Sequence, residues 1–175
     1  MMAKLRLDLH THCLEATGFL SPTVDIVAEI VARIKERRLD GIAVTEHNNK
    51  KYGHTVKEIV EQSFDNEVLI IPGQEIDFGR REVVELYLPN GSIFRFLAHP
   101  GRYPGVTEEV SDVQGIEIDN ALHSWHINKV RVKELAERHG LLLLHNSDAH
   151  NLEDIGTFHN EIDLEELEAR AQGGS

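Results

Sequence analysis

The segment KLRLDLHTH, residues 4–12, alternates polar and apolar side chains and then ends in polar ones. This pattern predicts a half-buried strand whose last residues lie at one edge of a sheet. In extended backbone, side chains two positions apart share a face about 6.5–7 Å apart, so His10 and His12 are spaced to bind one cation. Asp8 is expected on the same face, where a carboxylate can accept the second ring N–H of a metal-bound imidazole. The segment therefore predicts a strand that brings metal-binding groups to the surface.

A helix is expected after this strand, and the same order recurs along the chain. Apolar side chains from Val24 to Ile34 have helical spacing and follow the start signal Ser21–Pro22. The segments IAVTEHN (42–48) and LLLLHNSDAH (141–150) are again apolar runs that end in polar residues. Further strands are predicted at 68–76, 83–89, 93–100, 115–120 and 158–162, and further helices at 54–64, 125–139 and 164–171.

Short strands joined by helices favour an α/β fold with parallel strands, either as an open doubly wound sheet or as a closed barrel. Asn90 and Gly91 lie between two β-rich runs and indicate a hairpin, so one antiparallel pair is expected to interrupt the parallel order. With 175 residues, no internal repeat and no linker, the chain is expected to form a single domain over 1–175.

The composition argues against several classes of protein. With 41% hydrophobic and 27% charged residues, the chain is predicted to be globular rather than disordered. The net charge of -12 disfavours binding to nucleic acid or to an anionic membrane. The single cysteine, Cys13, cannot form an internal disulfide, which favours a cytoplasmic location. The 11 histidines beside 30 carboxylates favour a metal site with nitrogen and oxygen ligands.

Metal-binding residues follow at least five of the predicted strands. In parallel α/β folds the carboxyl ends of the strands form the functional face, so these side chains are expected to meet there. A lone His-x-His occurs often by chance, and Glu75 or His99 alone is compatible with an ordinary loop acid or a strand cap. Placing all of them at strand ends would need several coincidences at once. The residues concerned are His10, His12, Glu46, His47, Glu75, His99, Asp148 and His150.

The strand predicted at 115–120 supplies further candidates. Glu117 and Asp119 share a face of a regular strand, and Asp119 is kept in reserve as a candidate acid behind the metal ligands. His123 follows the same strand and is kept as a reserve candidate. His126 has no partner pattern around it and is predicted to be an ordinary surface histidine.

Five motifs in this order resemble the motif series of the PHP (polymerase and histidinol phosphatase) family. The resemblance spans nearly the whole chain and rests on the series, since each motif alone is weak evidence. The motifs are DLHTH at 8–12, VTEHN at 44–48, PGQE at 72–75, AHP at 98–100 and NSDAH at 146–150.

The resemblance implies a distorted (β/α)7 barrel with two or three divalent metal ions, usually zinc, manganese or iron, at the carboxyl ends of the strands. It also implies phosphoester hydrolysis by a metal-bound water at the first site. The implied ligands are His10, His12, Glu75 and Asp148 for the first metal, Glu75 and His99 for the second, and His47 and His150 for the third, with Glu15 the nearest candidate to complete the third.

The chain departs from the family pattern at two places. The second motif is more often T-D-H, whereas Glu46 here places a longer acid between Thr45 and His47. Many members have another histidine between the positions of Glu75 and His99. Its absence from this chain implies a second site that is weak, water-rich or empty.

The sequence therefore predicts a metal-dependent hydrolase of phosphoesters, a small-molecule phosphatase or phosphodiesterase with a small phosphorylated substrate. Arg102, shortly after His99, is the candidate to bind the phosphoryl group, because a guanidinium offers two parallel donors. A solvated loop arginine is the alternative interpretation. Two other functions stay open, namely hydrolysis of a C–N or other non-phosphate bond, and a non-catalytic metal-binding module.

Overall fold

The computed structural model describes residues 3–172, in which strands alternate with helices. The strands are β1 (Leu5–Asp8), β2 (Gly41–Val44), β3 (Leu69–Asp77), β4 (Glu82–Tyr87), β5 (Ile93–Leu97), β6 (Gly115–Asn120), β7 (Leu142–Asn146) and β8 (Asn160–Ile162). The helices are α1 (Cys13–Ala16), α2 (Val24–Glu36), α3 (Lys50–Ser63), α4 (Lys129–His139) and α5 (Leu164–Arg170), with 3-10 turns at Ser124–His126 and Leu152–Asp154. No helix in the described range is both long and apolar enough to cross a membrane.

The strands form one sheet in the order β7-β6-β5-β4-β3-β2-β1-β8. β4 runs antiparallel to both of its neighbours and β8 runs antiparallel to β1, so the other strands all point the same way. The ends of the sheet meet through Asn160, whose side chain accepts the N–H of His145 at 2.8 Å and donates to its carbonyl at 3.0 Å. The sheet is thus a nearly closed barrel, and the predicted α/β fold with a distorted barrel is confirmed.

Two details of the prediction are wrong. The hairpin at Asn90–Gly91 is present, but the expected single antiparallel pair is part of a three-strand antiparallel meander, since β3 as well as β5 pairs antiparallel with β4. The helix predicted over 125–139 is two elements, because α4 begins only after Asn128, whose side chain accepts the N–H of Arg131 at 3.1 Å and caps the helix. Trp125 and His126 therefore lie in a separate turn.

Apolar side chains pack on both faces of the strands. Leu7, Ala43 and Ile71 belong to one buried cluster, which fills the barrel. Ile42 and Ile70, next to them on the same strands, belong to a second cluster with the buried faces of α2 and α3. The alternation of strand side chains accounts for both layers. This apolar core positions the strands independently of the polar residues at their ends.

The polar residues gather at one end of the barrel, which we call the rim. It consists of the carboxyl ends of the six strands that share a direction, together with the start of β4, whose opposite direction places Glu82 there. The segments after β1, β2, β3, β5, β6 and β7 all leave the barrel at the rim. The rim therefore brings together residues that are far apart in the sequence.

Candidate metal centre

Four side chains converge at the centre of the rim, and we call them the deep group: His10, His12, Glu75 and Asp148. The Nε2 atoms of the two imidazoles are 3.2 Å apart. Oε2 of Glu75 lies 3.4 and 3.2 Å from these nitrogens, and Oδ1 of Asp148 lies 3.4 and 3.0 Å from them. A tetrahedral ion bound at about 2.0–2.1 Å needs ligand atoms about 3.3–3.4 Å apart. The donor atoms therefore have the spacing required to bind a single divalent ion.

Two buried carboxylate oxygens without hydrogen-bond partners are a second reason why the deep group fits a cation. All four side chains are at most 2% exposed. Oε2 of Glu75 and Oδ1 of Asp148 are buried and have no hydrogen-bond partner among residues 3–172. Burying ionised oxygens without a partner is costly. A divalent ion removes that cost, and two imidazoles with two carboxylates are a donor set suited to zinc, manganese or iron.

The buried carboxylates of the deep group also change the pKa values of its imidazoles. Burial lowers the pKa of His12, but the carboxylates of Asp148 and Glu75, whose oxygens lie 3.0 and 3.2 Å from its Nε2, raise it overall to about 9. Burial also lowers the pKa of His10, and the charges of Asp148, Glu117 and Glu75 raise it overall. Burial raises the pKa of Glu75, yet His10 and His12 hold it well below its usual value. The carboxylates thus attract positive charge, either protons on the imidazoles or a metal ion that displaces them.

Glu117 on β6 supports the deep group from within the barrel. Its Oε1 accepts a hydrogen bond from Nδ1 of His10 at 2.7 Å, and its Oε2 accepts the backbone N–H of His99 at 2.7 Å. Asn120 and Asn146 donate to the same carboxylate, each at 2.9 Å. A carboxylate on the far ring nitrogen fixes the orientation of a metal-binding histidine. Glu117 therefore holds Nε2 of His10 toward the other donors.

The expectation for Asp119 is wrong. Asp119 contacts Nδ1 of His145 at 2.6 Å and forms an ion pair with Lys129, and neither partner belongs to the deep group. The register between β6 and β7 shifts between Glu117 and Asp119. Because of this irregularity, the alternation of side chains on which the prediction rested does not continue from Glu117 to Asp119.

Asp8 also has partners other than those predicted. Its Oδ2 accepts the O–H of Ser147 at 2.5 Å and the N–H of Gly156 at 2.9 Å, and no imidazole within residues 3–172 contacts it. The reason is that β1 ends at Asp8, so the strand period does not extend to His10. Burial raises the pKa of Asp8 to about 6. Asp8 thus fastens the loop that carries Asp148 to β1.

Glu46 supports the rim rather than the deep group. Its Oε1 accepts the N–H of Leu14 at 2.9 Å, which holds α1 in place, and its nearest oxygen is 4.0 Å from Nδ1 of His12. Burial raises the pKa of Glu46 to about 7. Of the adjacent pair Glu46 and His47, only the histidine reaches Glu75, at 3.2 Å.

A second set of donors lies beside the deep group and includes an acid that the sequence analysis missed. Nε2 of His99 lies 3.0 Å from Oε1 of Glu75 and 3.2 Å from Oε2 of Glu82. His123, the reserve candidate, reaches Oδ2 of Asp148 at 3.7 Å. The signal for Glu82 was available, because an antiparallel strand starts at the end where its neighbours finish. Glu75 and Glu82 thus provide metal-binding oxygens beside His99, although the chain lacks a further histidine between Glu75 and His99.

The exposed side of the centre is formed by Glu15, His47 and His150, which we call the shallow group. Nε2 of His47 is 3.9 Å from Oε1 of Glu15, and Nε2 of His150 is 3.8 Å from its Oε2. Both imidazoles stack on His12, with ring centroids 4.3 and 4.2 Å away. The residues predicted for the third metal therefore come together, in a looser arrangement than the deep group.

Two of the predicted ligands have unusual backbone conformations. His99 has a φ of 25° and Asp148 a φ of 54°, a region that side-chain-bearing residues seldom adopt. Such conformations persist where the surrounding structure enforces them, and they are concentrated at functional sites. Here they turn both side chains toward Glu75.

Comparison with known proteins gives one family match and several similar folds. A family model described as PHP-associated matches residues 127–170. PsfC from Pseudomonas syringae is 20% identical, with a TM-score of 0.67, over 89% of this chain and 80% of that one. A protein of Bifidobacterium adolescentis provisionally named a metal-dependent phosphoesterase is 13% identical, with a TM-score of 0.69, over 97% and 96%.

An amidohydrolase from Chromobacterium violaceum, with bound sulfate and no metal, is 16% identical, with a TM-score of 0.65, over 97% of this chain and 98% of that one. No curated protein sequence gives a significant match. At these identities the solved structures establish the fold alone. Together with the PHP-associated segment, they confirm the resemblance that the five motifs indicate.

Proposed function

We propose that this chain, a PHP-like barrel, is a metal-dependent hydrolase and that it acts on phosphoesters. The deep group is the observation that carries the proposal, because its two unpaired carboxylate oxygens lie within 3.4 Å of two imidazole nitrogens in a buried site. Neither oxygen has a hydrogen-bond partner within the described residues, and a divalent ion bound between the four side chains would engage both. The fold likeness to a protein named as a metal-dependent phosphoesterase supports the reaction class.

The residues of the chain have separable tasks in this proposal. The deep group, the set around His99 and the shallow group would hold the ions, and divalent ions bound there would supply an activated water and neutralise phosphoryl oxygens. Glu117 orients His10, and Asp8 and Glu46 hold the loops. The sulfate in the similar amidohydrolase structure has the tetrahedral oxyanion shape of a phosphoryl group. We propose that a phosphoryl group binds at the rim of this chain.

Arg102 is proposed to bind the phosphoryl group. Its Nη1 donates to both carboxylate oxygens of Glu82 at 2.7 Å, and its side chain is 43% exposed. No acceptor among residues 3–172 engages Nε or Nη2, so these donors are free for oxygen atoms of a substrate. We expect Arg102→Ala to raise KM about tenfold with a smaller change in kcat, and Arg102→Lys to recover only part of the loss. Steady-state kinetics of both variants test this role.

Elemental analysis followed by a substrate panel tests the function. Purified protein should contain divalent metal, and it should hydrolyse phosphate monoesters or diesters in an assay that a chelator abolishes and added manganese restores. The reading that competes is hydrolysis of a C–N bond, which the fold likeness to an amidohydrolase favours. Cleavage of amides or cyclic amides without any phosphoester turnover would establish that alternative. Full metal occupancy with no turnover of either class would indicate a non-catalytic metal-binding module.

A further inference from the structure

Large apolar side chains are exposed around the rim. Phe19 and Leu20 follow β1, Phe78 follows β3, and Leu122 and Trp125 follow β6. Trp125 is 80% exposed, the highest value among the large apolar side chains exposed in residues 3–172. Exposed apolar groups at the mouth of a polar site are typical of a surface that contacts a ligand or partner. The proposed reaction assigns no role to any of these apolar side chains.

Trp125 is linked to the candidate metal ligands through one neighbouring ring. The indole meets the imidazole of His126 at a centroid distance of 4.7 Å, with the ring planes nearly perpendicular. His126, predicted to be an ordinary surface histidine, contacts the ring of His99 at 5.9 Å, also edge to face. Nδ1 of His126 lies 3.3 Å from the carbonyl oxygen of Pro100. Two ring contacts therefore separate the indole from His99.

The turn that carries Trp125 is fixed to the centre. Oδ1 of Asn120 accepts the backbone N–H of His123 at 2.9 Å, while its Nδ2 donates to Oδ2 of Asp148 at 3.1 Å. On the other side, a Cβ at Gly101 would lie 2.5 Å from the carbonyl oxygen of His126, so the next loop packs closely against the turn. The turn that carries Trp125 is therefore held in place beside the candidate metal ligands, with the indole exposed.

We propose that Trp125 stacks on a planar aromatic ring in the organic part of the phosphoester and so determines substrate preference. The inference rests on the proposed function, because the metal centre places the phosphorus atom. An indole offers a flat apolar face, and a planar ring covers it in an offset stack while a short alkyl group does not. Trp125 also projects at the rim, where the organic part of a substrate bound at the centre would extend.

Two pairs of compounds test the role of Trp125. Benzyl and ethyl phosphate are both esters of primary alcohols and differ mainly in the ring; their methyl diesters replace them where only diesters turn over. We expect Trp125→Ala to lower the ratio of kcat/KM for benzyl over ethyl ester about tenfold, and Trp125→Phe to retain most of that ratio. Phe158→Ala is the matched control, since this exposed aromatic lies beside His159, which contacts Arg6, and no ring contact within residues 3–172 links it to a candidate metal ligand.

A binding measurement separates this inference from the proposed function. Trp125 is the single tryptophan of the chain, so its fluorescence reports directly on the rim. In the metal-loaded protein, benzylphosphonate should change the emission and bind more tightly than ethylphosphonate. If the two phosphonates bind equally to the native protein, or if the kcat/KM preference for benzyl over ethyl ester survives in Trp125→Ala, the role of Trp125 is overturned even where phosphoester turnover is observed. Benzyl preference without any turnover would instead sink the proposed function and leave the ring site standing.

A protein contact is the competing explanation of the exposed indole, and the same variants address it. If Trp125→Ala converts a dimer to a monomer on size-exclusion chromatography while the benzyl preference is unchanged, the indole belongs to an interface between copies. That outcome also overturns the proposal.

Discussion

The deep and shallow groups lie side by side at the rim and use the same residue types, yet their surroundings differ. In the deep group the side chains are buried, and donor atoms approach within 3.0–3.4 Å. In the shallow group Glu15 lies 3.8–3.9 Å from its histidines, and His47 is half exposed. Water can solvate the shallow group, whereas the deep group needs a bound positive charge. Burial, rather than residue type, thus determines how strongly each set requires a cation.

The largest effect is expected from removing a member of the deep group. His10→Ala or Asp148→Ala should abolish binding of the first metal and lower turnover by more than about 100-fold. Loss of a residue that only hydrogen-bonds to a metal ligand typically costs about 10- to 100-fold. The fold should persist, because the apolar core does not include these side chains. Elemental analysis, circular dichroism and kinetics check this, with His139→Ala at the end of α4 as control. Full metal content and rate in either variant would refute the ligand assignment.

The second prediction compares the two acids of β6. Glu117→Gln should weaken metal binding about 10- to 100-fold, because Nδ1 of His10 loses its ionised acceptor. Asp119→Asn should change metal affinity less than twofold, since the ion-pair partners of Asp119 within residues 3–172 are His145 and Lys129. Titration with a competing chelator measures both affinities. Equal losses in the two variants would contradict the support role assigned to Glu117.

A smaller effect is expected in the shallow group. Glu15→Gln should lower metal content by one ion per chain at limiting metal and reduce kcat/KM about tenfold, because this acid faces the Nε2 atoms of both His47 and His150. The deep-site ion should be retained. A graded chelator should also remove this ion first from the native protein. Loss of all metal from Glu15→Gln would show that the deep and shallow groups bind ions cooperatively. It would contradict the expectation that the buried deep group binds its ion on its own.

The smallest effect concerns an ion pair that is already satisfied. Arg81 donates to both oxygens of Asp112 at 2.7 and 2.8 Å and holds the pKa of this carboxyl below its usual value. Its contribution is present above the unfolded pKa and is lost as pH falls through the lowered pKa of the folded state. Asp112→Asn should therefore lower the free energy of unfolding by less than about 1 kcal/mol at pH 7, because the pair is partly exposed. The difference should vanish in strongly acidic solution, as urea titrations at both pH values would measure.

Much of the rim was predictable from the sequence. Strand segments that end in HTH, EH or SDAH place chemically active residues at carboxyl ends, and the parallel strands of an α/β fold bring those ends together. This pattern predicted the rim positions of His10, His12, Glu75, His99 and Asp148. The apolar periodicity of α2 and the capping of helices by short polar side chains are equally local properties.

The errors have a common cause, which is that local irregularity depends on distant partners. A register shift against β7 turns Glu117 and not Asp119 toward His10, and no pattern within 115–120 reveals it. The hairpin at Asn90–Gly91 already indicated that β4 begins where β5 ends, but the position of Glu82 near Glu75 depends on the pairing of β4 with β3.

The sequence alone determined which chemical groups the chain can offer and at which ends of its strands they stand, because periodicity and motif order are local along the chain. The tertiary structure decided which of those groups share a buried volume, which carboxylate faces which imidazole, and where oxygens are left without partners. Those properties arise from the packing of segments more than 100 residues apart, as in the contact of His10 with Glu117 and Asp148. Only that packing removes water from the deep group and so makes its charges require a cation.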